Sequence, residues 1–310
     1  MKFSYYIGLL VVFIISSCAS QPPKVIKQVV RDTVIINQTT DRYESVRMAK
    51  LDNFHISTSK YPAKGQDDRV RFLILHYTAL NDSLSMKVLT QQEVSSHYLI
   101  PNDGSDSIYL LVDESKRSWH AGASFWKGIN NLNFSSIGIE IVNQGYTGTF
   151  NTNADGTITD TRYFYDFPQK QVDKVAELCK DIITRYKIDP VNVLAHSDVA
   201  PGRKHDPGPK FPWKYMYEKH RIGAWYEDFH KQTYLGQFPY AEKDSMSFIQ
   251  SVQADLEKYG YEIQKTGIWD PQTQKVLQAF QYHFRPEKYD GIIDAETWAI
   301  LKALVLKYRS

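Results

Sequence analysis

The segment Val70-Arg71-Phe72-Leu73-Ile74-Leu75-His76-Tyr77 is apolar at nearly every position. A strand with one wet face would alternate, so a run like this predicts a strand covered on both sides. Ser96 to Ile100, Ile108 to Val112, Ile137 to Val142 and Val191 to His196 are further strand candidates. Between them, Gln169 to Tyr186 places Val172, Val175, Leu178, Cys179, Ile182, Ile183 and Tyr186 at three- and four-residue spacing. That is one apolar face of a helix, and Asp189-Pro190 ends it. Cys179 on that face reads as a core residue rather than a nucleophile. Strands mixed with helices predict an α/β domain. Thr147 to Asp160 is rich in Thr, Asn, Asp and Gly, and Ala154-Asp155-Gly156 predicts a turn in an exposed loop or hairpin.

The chain changes character near its end. Gly267-Ile268-Trp269-Asp270-Pro271-Gln272-Thr273 is echoed 24 residues on by Gly291-Ile292-Ile293-Asp294-Ala295-Glu296-Thr297. Each copy offers an Asp as a helix N-cap, and Pro271 suits the first helical position. Amphipathic faces follow at Val276, Leu277 and Phe280 and at Trp298, Leu301 and Leu304, and a third lies at Phe248, Val252, Leu256 and Tyr259. A small three-helix domain over residues 245–308 is the expectation, with these aromatics as core.

The other end reads as an export signal. Met1-Lys2 precedes an apolar stretch from Tyr5 to Ile15, shorter than the ~20 residues that span a bilayer. It closes on Ile15-Ser16-Ser17-Cys18, which resembles a bacterial lipobox in which Cys18 is acylated; a plain signal peptide is the alternative. Residues 1–17 would then be the lipoprotein signal, residues 18–45 a tether, and Cys18 the membrane anchor. Ala19 and Ser20 follow Cys18, so the Asp just after the Cys that marks an inner-membrane retention signal is absent, which favours the periplasmic face of the outer membrane. With 37 Lys and Arg against 35 Asp and Glu, the net charge is only +2, which argues against a nucleic-acid partner. Two cysteines exclude a disulfide scaffold and a Cys-rich zinc module.

Of nine histidines, His76 and His196 both end apolar strands, where loops converge. After His196 comes a Pro- and Gly-punctuated loop offering Asp198, Arg203, Lys204, His205 and Asp206. Two imidazoles and one carboxylate make a three-ligand zinc set with the fourth position open to water; on spacing, Asp206, Asp198 or His205 could be the third ligand. Glu140 is a carboxylate inside the apolar run Ser136-Ile137-Gly138-Ile139-Glu140-Ile141-Val142. It either faces solvent by alternation or is used as a general base. Lys204 is either a solvated loop lysine or a stabiliser of an oxyanion.

Taken together, five ordered segments resemble the type 2 zinc N-acetylmuramoyl-L-alanine amidases. They are Leu75-His76-Tyr77-Thr78-Ala79, Ser96-His97-Tyr98-Leu99-Ile100, Trp119-His120-Ala121-Gly122, Ser136 to Glu140, and His196 to Lys204 with Asp206-Pro207-Gly208. Residues 245–308 are similar to the peptidoglycan-binding module that outer-membrane lipoprotein amidases of this family carry, though Trp269-Asp270 departs from its commoner Phe-Gly. The resemblance implies a mixed central β-sheet with flanking helices over residues 46–232, a linker at 233–244 and the helical module. It implies one Zn²⁺ held by His76, His196 and Asp206, Glu140 as acid/base and Lys204 as its electrostatic partner. His97 and His120 would not be ligands, and His205 would be a bystander. Trp119, His120 and Arg203 would contact substrate. The implied activity is hydrolysis of the amide between N-acetylmuramic acid and L-alanine in peptidoglycan or muropeptides, by a monomer. A non-catalytic envelope tether and a zinc peptidase acting on the stem peptide are the alternatives.

Overall fold

The apolar run at residues 70–77 becomes the strand β1 (Phe72–Tyr77), whose Phe72, Leu73, Ile74 and Leu75 are at most 1% exposed, as burial of both faces requires. The computed structural model describes residues 52–53, 63–152 and 158–309. The signal segment 1–17, Cys18, the tether 18–45, the domain start at 46 and the turn Ala154-Asp155-Gly156 lie outside the described residues. The chain divides into two units at Ala63/Lys64, and everything below concerns the second.

After β1 come α1 (Asp82–Gln91), β2 (Tyr98–Ile100), β3 (Tyr109–Leu110), β4 (Phe125–Trp126), β5 (Ile129–Asn130) and β6 (Ser136–Ile141). Then come β7 (Tyr146–Thr147), β8 (Phe150–Thr152), β9 (Ile158–Asp160), β10 (Tyr163–Phe164) and α2 (Gln169–Tyr186). The chain continues with β11 (Val193–Ala195), α3 (His196–Val199), α4 (Trp213–His220), α5 (Asp228–Leu235), α6 (Met246–Tyr259), α7 (Pro271–Phe284) and α8 (Ala295–Arg309). The main sheet runs β11-β1-β6-β2-β3, parallel except for the edge strand β3. This is the α/β architecture expected. On α2, Val172, Val175, Ala176, Cys179 and Ile182 are buried, and burial pushes the Cys179 thiol up, so Cys179 is a core residue. The loop at residues 147–160 contains the antiparallel pair β8–β9.

The strands expected over Ser96 to Ile100 and Ile108 to Val112 are shorter, Tyr98–Ile100 and Tyr109–Leu110, and two further boundaries differ from the sequence reading. The strand expected over Val191 to His196 is only Val193–Ala195. Asp189 caps a 3₁₀ turn that takes Val191, and the Asp198 carboxylate accepts the Ala195 amide (2.8 Å), turning the chain so that His196 opens α3. The linker expected at 233–244 begins inside a helix: α5 runs to Leu235 and packs on α8, with the Tyr234 and Phe238 rings 6.0 and 5.7 Å from Trp298.

The helical module follows its repeat. Asp270 and Asp294 accept the amides of Thr273 and Thr297 at 2.7 and 2.9 Å, and Pro271 opens α7. Each repeat is also tied by a buried glutamine. Gln253 accepts from the Gly267 amide and donates to the Ile268 carbonyl and Thr273; Gln281 does the same for Gly291, Ile292 and Thr297. Val252, Leu256, Phe280, Leu301 and Leu304 are fully buried. The module shares one core with the α/β part. Trp126 of β4 packs edge-on against Tyr259 and Tyr261, and Gly260 between them (φ 151°) has no room for a Cβ, which would lie 2.6 Å from the indole.

Candidate active site

Parallel strands end on one side of a sheet, so the residues closing β1, β6 and β11 are brought together. His76 of β1 is in register with Glu140 of β6, and Leu75 is in register with Ala195, the residue before His196. Asp206 returns from the loop after α3, whose end is held by the Ser197 amide donating to the Asp206 carbonyl (3.0 Å).

Three Lewis-basic atoms converge there. His76 Nδ1 and His196 Nδ1 are 2.9 Å apart and lie 3.0 and 2.9 Å from Asp206 Oδ2. All three residues are buried. His196 Nε2 is 3.1 Å from the Ala121 carbonyl, which can only accept, so Nε2 carries the proton and Nδ1 keeps its lone pair. The Arg203 guanidinium donates through Nη2 to the Ala121 and Ala123 carbonyls at 2.7 and 2.6 Å, and lies at the longer distance of 3.5 Å from His196 Nε2. A lone pair and a carboxylate oxygen at 2.9 Å with no proton between them repel unless a cation sits among them. The donor set therefore fits a metal ion, and it is the one such group among the described residues. Burial and then the neighbouring His196 lower the His76 pKa to about 4. Burial opposes ionisation of Asp206, but His196 and His76 outweigh it and hold the carboxyl well below its usual range.

A groove of about 230 Å³ opens over the cluster. Leu80, Val88 and Val94 line an apolar side; Glu140, Lys204 and Asp206 line the polar one. Glu140 Oε2 is enclosed and has no hydrogen-bond partner. Burial and then the charge of Asp206 push the Glu140 pKa up to about 8, with Lys204 pulling the other way. A cation in the cluster would favour the carboxylate, the form that accepts a proton. A second cleft, about 300 Å³ beside Trp213, Trp225 and Arg285, has no comparable convergence of donors.

The other expected residues separate clearly. Asp198, a possible third ligand on spacing, is buried away from the cluster and bonded to Tyr261 and His283 of the helical module. His205 is not in the metal-ligating group. His97 donates through Nε2 to the Lys116 carbonyl and accepts through Nδ1 from Gly138, a structural role. Trp119 is 54% exposed on the rim, with the Arg117 guanidinium 3.9 Å from its ring. His120 is buried behind His76, with Nδ1 2.9 Å from His76 Nε2. Sequence reasoning missed the Ala121 carbonyl and Asn133, whose Oδ1 accepts the amides of His120 and Ala121 (3.2 and 2.8 Å) and so holds that segment in place. Backbone acceptors leave no mark in a residue pattern.

The comparisons with known proteins bear on this constellation. A family model for N-acetylmuramoyl-L-alanine amidase matches residues 66–209. The N-acetylmuramoyl-L-alanine amidase AmiD of Escherichia coli (strain K12) is 40% identical over 265 residues, covering 84% of this chain and 88% of that one. The chain belongs to the N-acetylmuramoyl-L-alanine amidase family. It is an amidase of type 2, with a helical module that matches a peptidoglycan binding domain model over residues 245–301. Two relatives of known structure agree. AMPDH3 from Pseudomonas aeruginosa superposes with a TM-score of 0.70 at 40% identity, covering 85% of this chain and 100% of that chain. AmiD from E. coli, in complex with anhydro-N-acetylmuramic acid-L-Ala-D-γ-Glu-L-Lys, superposes at 0.71 and 37% identity, covering 84% and 98%. The amidase fold thus accounts for the α/β part and the helical module alike.

Proposed function

We propose that this amidase is a zinc enzyme that hydrolyses the amide between N-acetylmuramic acid and L-alanine, with His76, His196 and Asp206 as ligands. The observation that carries this reading is the meeting of bare Nδ1 and carboxylate atoms beside the enclosed, unpartnered Oε2 of Glu140. When bound, zinc lowers the pKa of water to about 7 and polarises a carbonyl. Glu140 takes the proton of the attacking water and hands it to the departing amine of L-alanine. Lys204, on the same groove, places a positive charge near the oxyanion that forms. Trp119, exposed on the rim of the groove, would contact substrate there. Arg203 acts on the protein itself, through the Ala121 and Ala123 carbonyls.

AmiD holds an anhydro-muropeptide, and a second AMPDH3 structure holds an anhydromuramic pentapeptide, which supports muropeptides among the substrates. The helical module supports action on polymeric peptidoglycan, and Cys18 acylation would keep a monomeric chain within reach of the wall from the periplasmic face of the outer membrane. Labelling of the chain by radioactive palmitate, lost in Cys18→Ala, tests the anchor.

The activity is tested on the detergent-solubilised chain with purified peptidoglycan and with anhydro-muropeptide, with chelator and after zinc restoration, reading products by mass spectrometry. Peptides beginning at L-alanine, lost on chelation and regained with zinc, are expected. Cuts within the stem, or turnover indifferent to chelation, would overturn the reading.

A further inference from the structure

Ser136, Gly138 and Glu140 are alternate residues of β6 and so share one face of the sheet. Glu140 meets the groove. The other two meet the imidazole of His120. A Cβ on Gly138 would lie 2.4 Å from His120 Cγ, so the ring rests on a position that only glycine leaves open. Ser136 Oγ lies 2.7 Å from the Leu132 carbonyl and 3.0 Å from His120 Nε2. The carbonyl has no proton to give, so the single hydroxyl proton of Ser136 points at Leu132. Ser136 Oγ must then accept from His120 Nε2–H. His120 Nδ1, left with its lone pair, accepts from His76 Nε2 at 2.9 Å. His76 Nδ1 is thereby left bare and faces His196 and Asp206.

We propose that His120 is a positioning residue. Oriented by Ser136 and seated on Gly138, it fixes His76 in the tautomer whose Nδ1 lone pair faces the metal site. The chain of bonds runs one way because it ends on a backbone carbonyl. Without Ser136 the His120 ring loses the acceptor that selects its own tautomer; with Nδ1 protonated, it would turn His76 to the form that cannot ligate through Nδ1. The Trp119-His120-Ala121-Gly122 segment thus orients both imidazoles, His76 through the His120 side chain and His196 through the Ala121 carbonyl. This inference rests on the zinc reading above for its consequence, but the tautomer itself belongs to the metal-free chain.

The test uses the full chain, stripped of metal, in two measurements. Zinc affinity is read by competition with a chromophoric chelator, and the imidazole tautomers by ¹⁵N spectra of the histidine-labelled chain. Wild type should show His76 protonated at Nε2. Ser136→Ala and His120→Leu should bind zinc about 10–100-fold more weakly, the range for residues that orient metal ligands. Ser136→Ala should also lose the single His76 tautomer. His120→Gln, whose amide can accept from His76 and donate to Ser136, should recover most of the affinity lost in His120→Leu. Wild-type affinity in Ser136→Ala, an unaltered His76 tautomer in that variant, or a His120→Gln as weak as His120→Leu at equal thermal stability would each overturn the proposal. If wild type binds no zinc, the zinc reading fails and the spectra alone decide the tautomer.

Discussion

Asp198 of α3 and Asp206 of the loop that follows it are both buried and meet opposite surroundings. Asp198 faces donors: the Tyr261 hydroxyl at 2.6 Å, His283 Nδ1 at 2.7 Å and the Ala195 amide at 2.8 Å. Its negative charge is answered by protons the protein supplies. Asp206 faces the Nδ1 atoms of His76 and His196, and His196 Nδ1 carries no proton to offer. The first carboxylate is complete without a ligand and ties the helical module to α3. The second belongs to a His-His-Asp group that could hold a cation. Residue type and burial do not separate a structural carboxylate from a ligand; the direction of the neighbouring hydrogen bonds does.

The comparison can be broken at its strongest point first. Asp206→Ala should remove stoichiometric zinc and turnover while the chain stays folded, as read by metal analysis and circular dichroism. Retained zinc would mean Asp206 is not a ligand. Glu140→Gln should keep zinc and lower kcat by about 10²–10⁴-fold, the span of a lost general acid/base. A fall in metal content instead would move Glu140 into the ligand set. At Asp198 the expected effect is on folding, not chemistry. Tyr261→Phe removes a hydrogen bond to a buried carboxylate and should cost about 1.5–3 kcal/mol in denaturant unfolding, with zinc affinity unchanged. If affinity falls instead, the two carboxylates are coupled and the division between them fails.

The smallest effect is one of pH. Glu140 is held near 8 from an ordinary 4.5, so in the stripped chain the folded state keeps a proton that the unfolded state releases. Stability from this group is therefore present below pH 4.5 and is lost as pH rises through about 8. Thermal unfolding of metal-free wild type should decline across that window more steeply than that of metal-free Glu140→Gln. Parallel curves would show that burial does not press on this carboxylate.

Much of the molecule is legible in its residues because burial leaves a one-dimensional trace. The run at β1, the apolar face of α2 and the paired Asp caps of α7 and α8 all follow from periodicity and capping chemistry. Glu140 is visible as a charge inside an apolar strand, and in hindsight Ser136 and Gly138 show the same phase. The end of the strand before His196 is not legible, because the Asp198 side chain turns the backbone there. Nor is the helix inside the expected linker, since α5 is held by contacts with α8.

What the sequence determines by itself is the inventory: an α/β sheet whose strands end in histidine and glutamate, a loop rich in candidate ligands, and a repeated helical module. Only the tertiary structure decides which candidates act together. Tyr261 and His283, more than sixty residues downstream of Asp198, supply the protons that occupy it. The Ala121 carbonyl leaves the lone pair of His196 pointing at Asp206. Proton direction depends on neighbours brought close by folding, and no spacing along the chain records it.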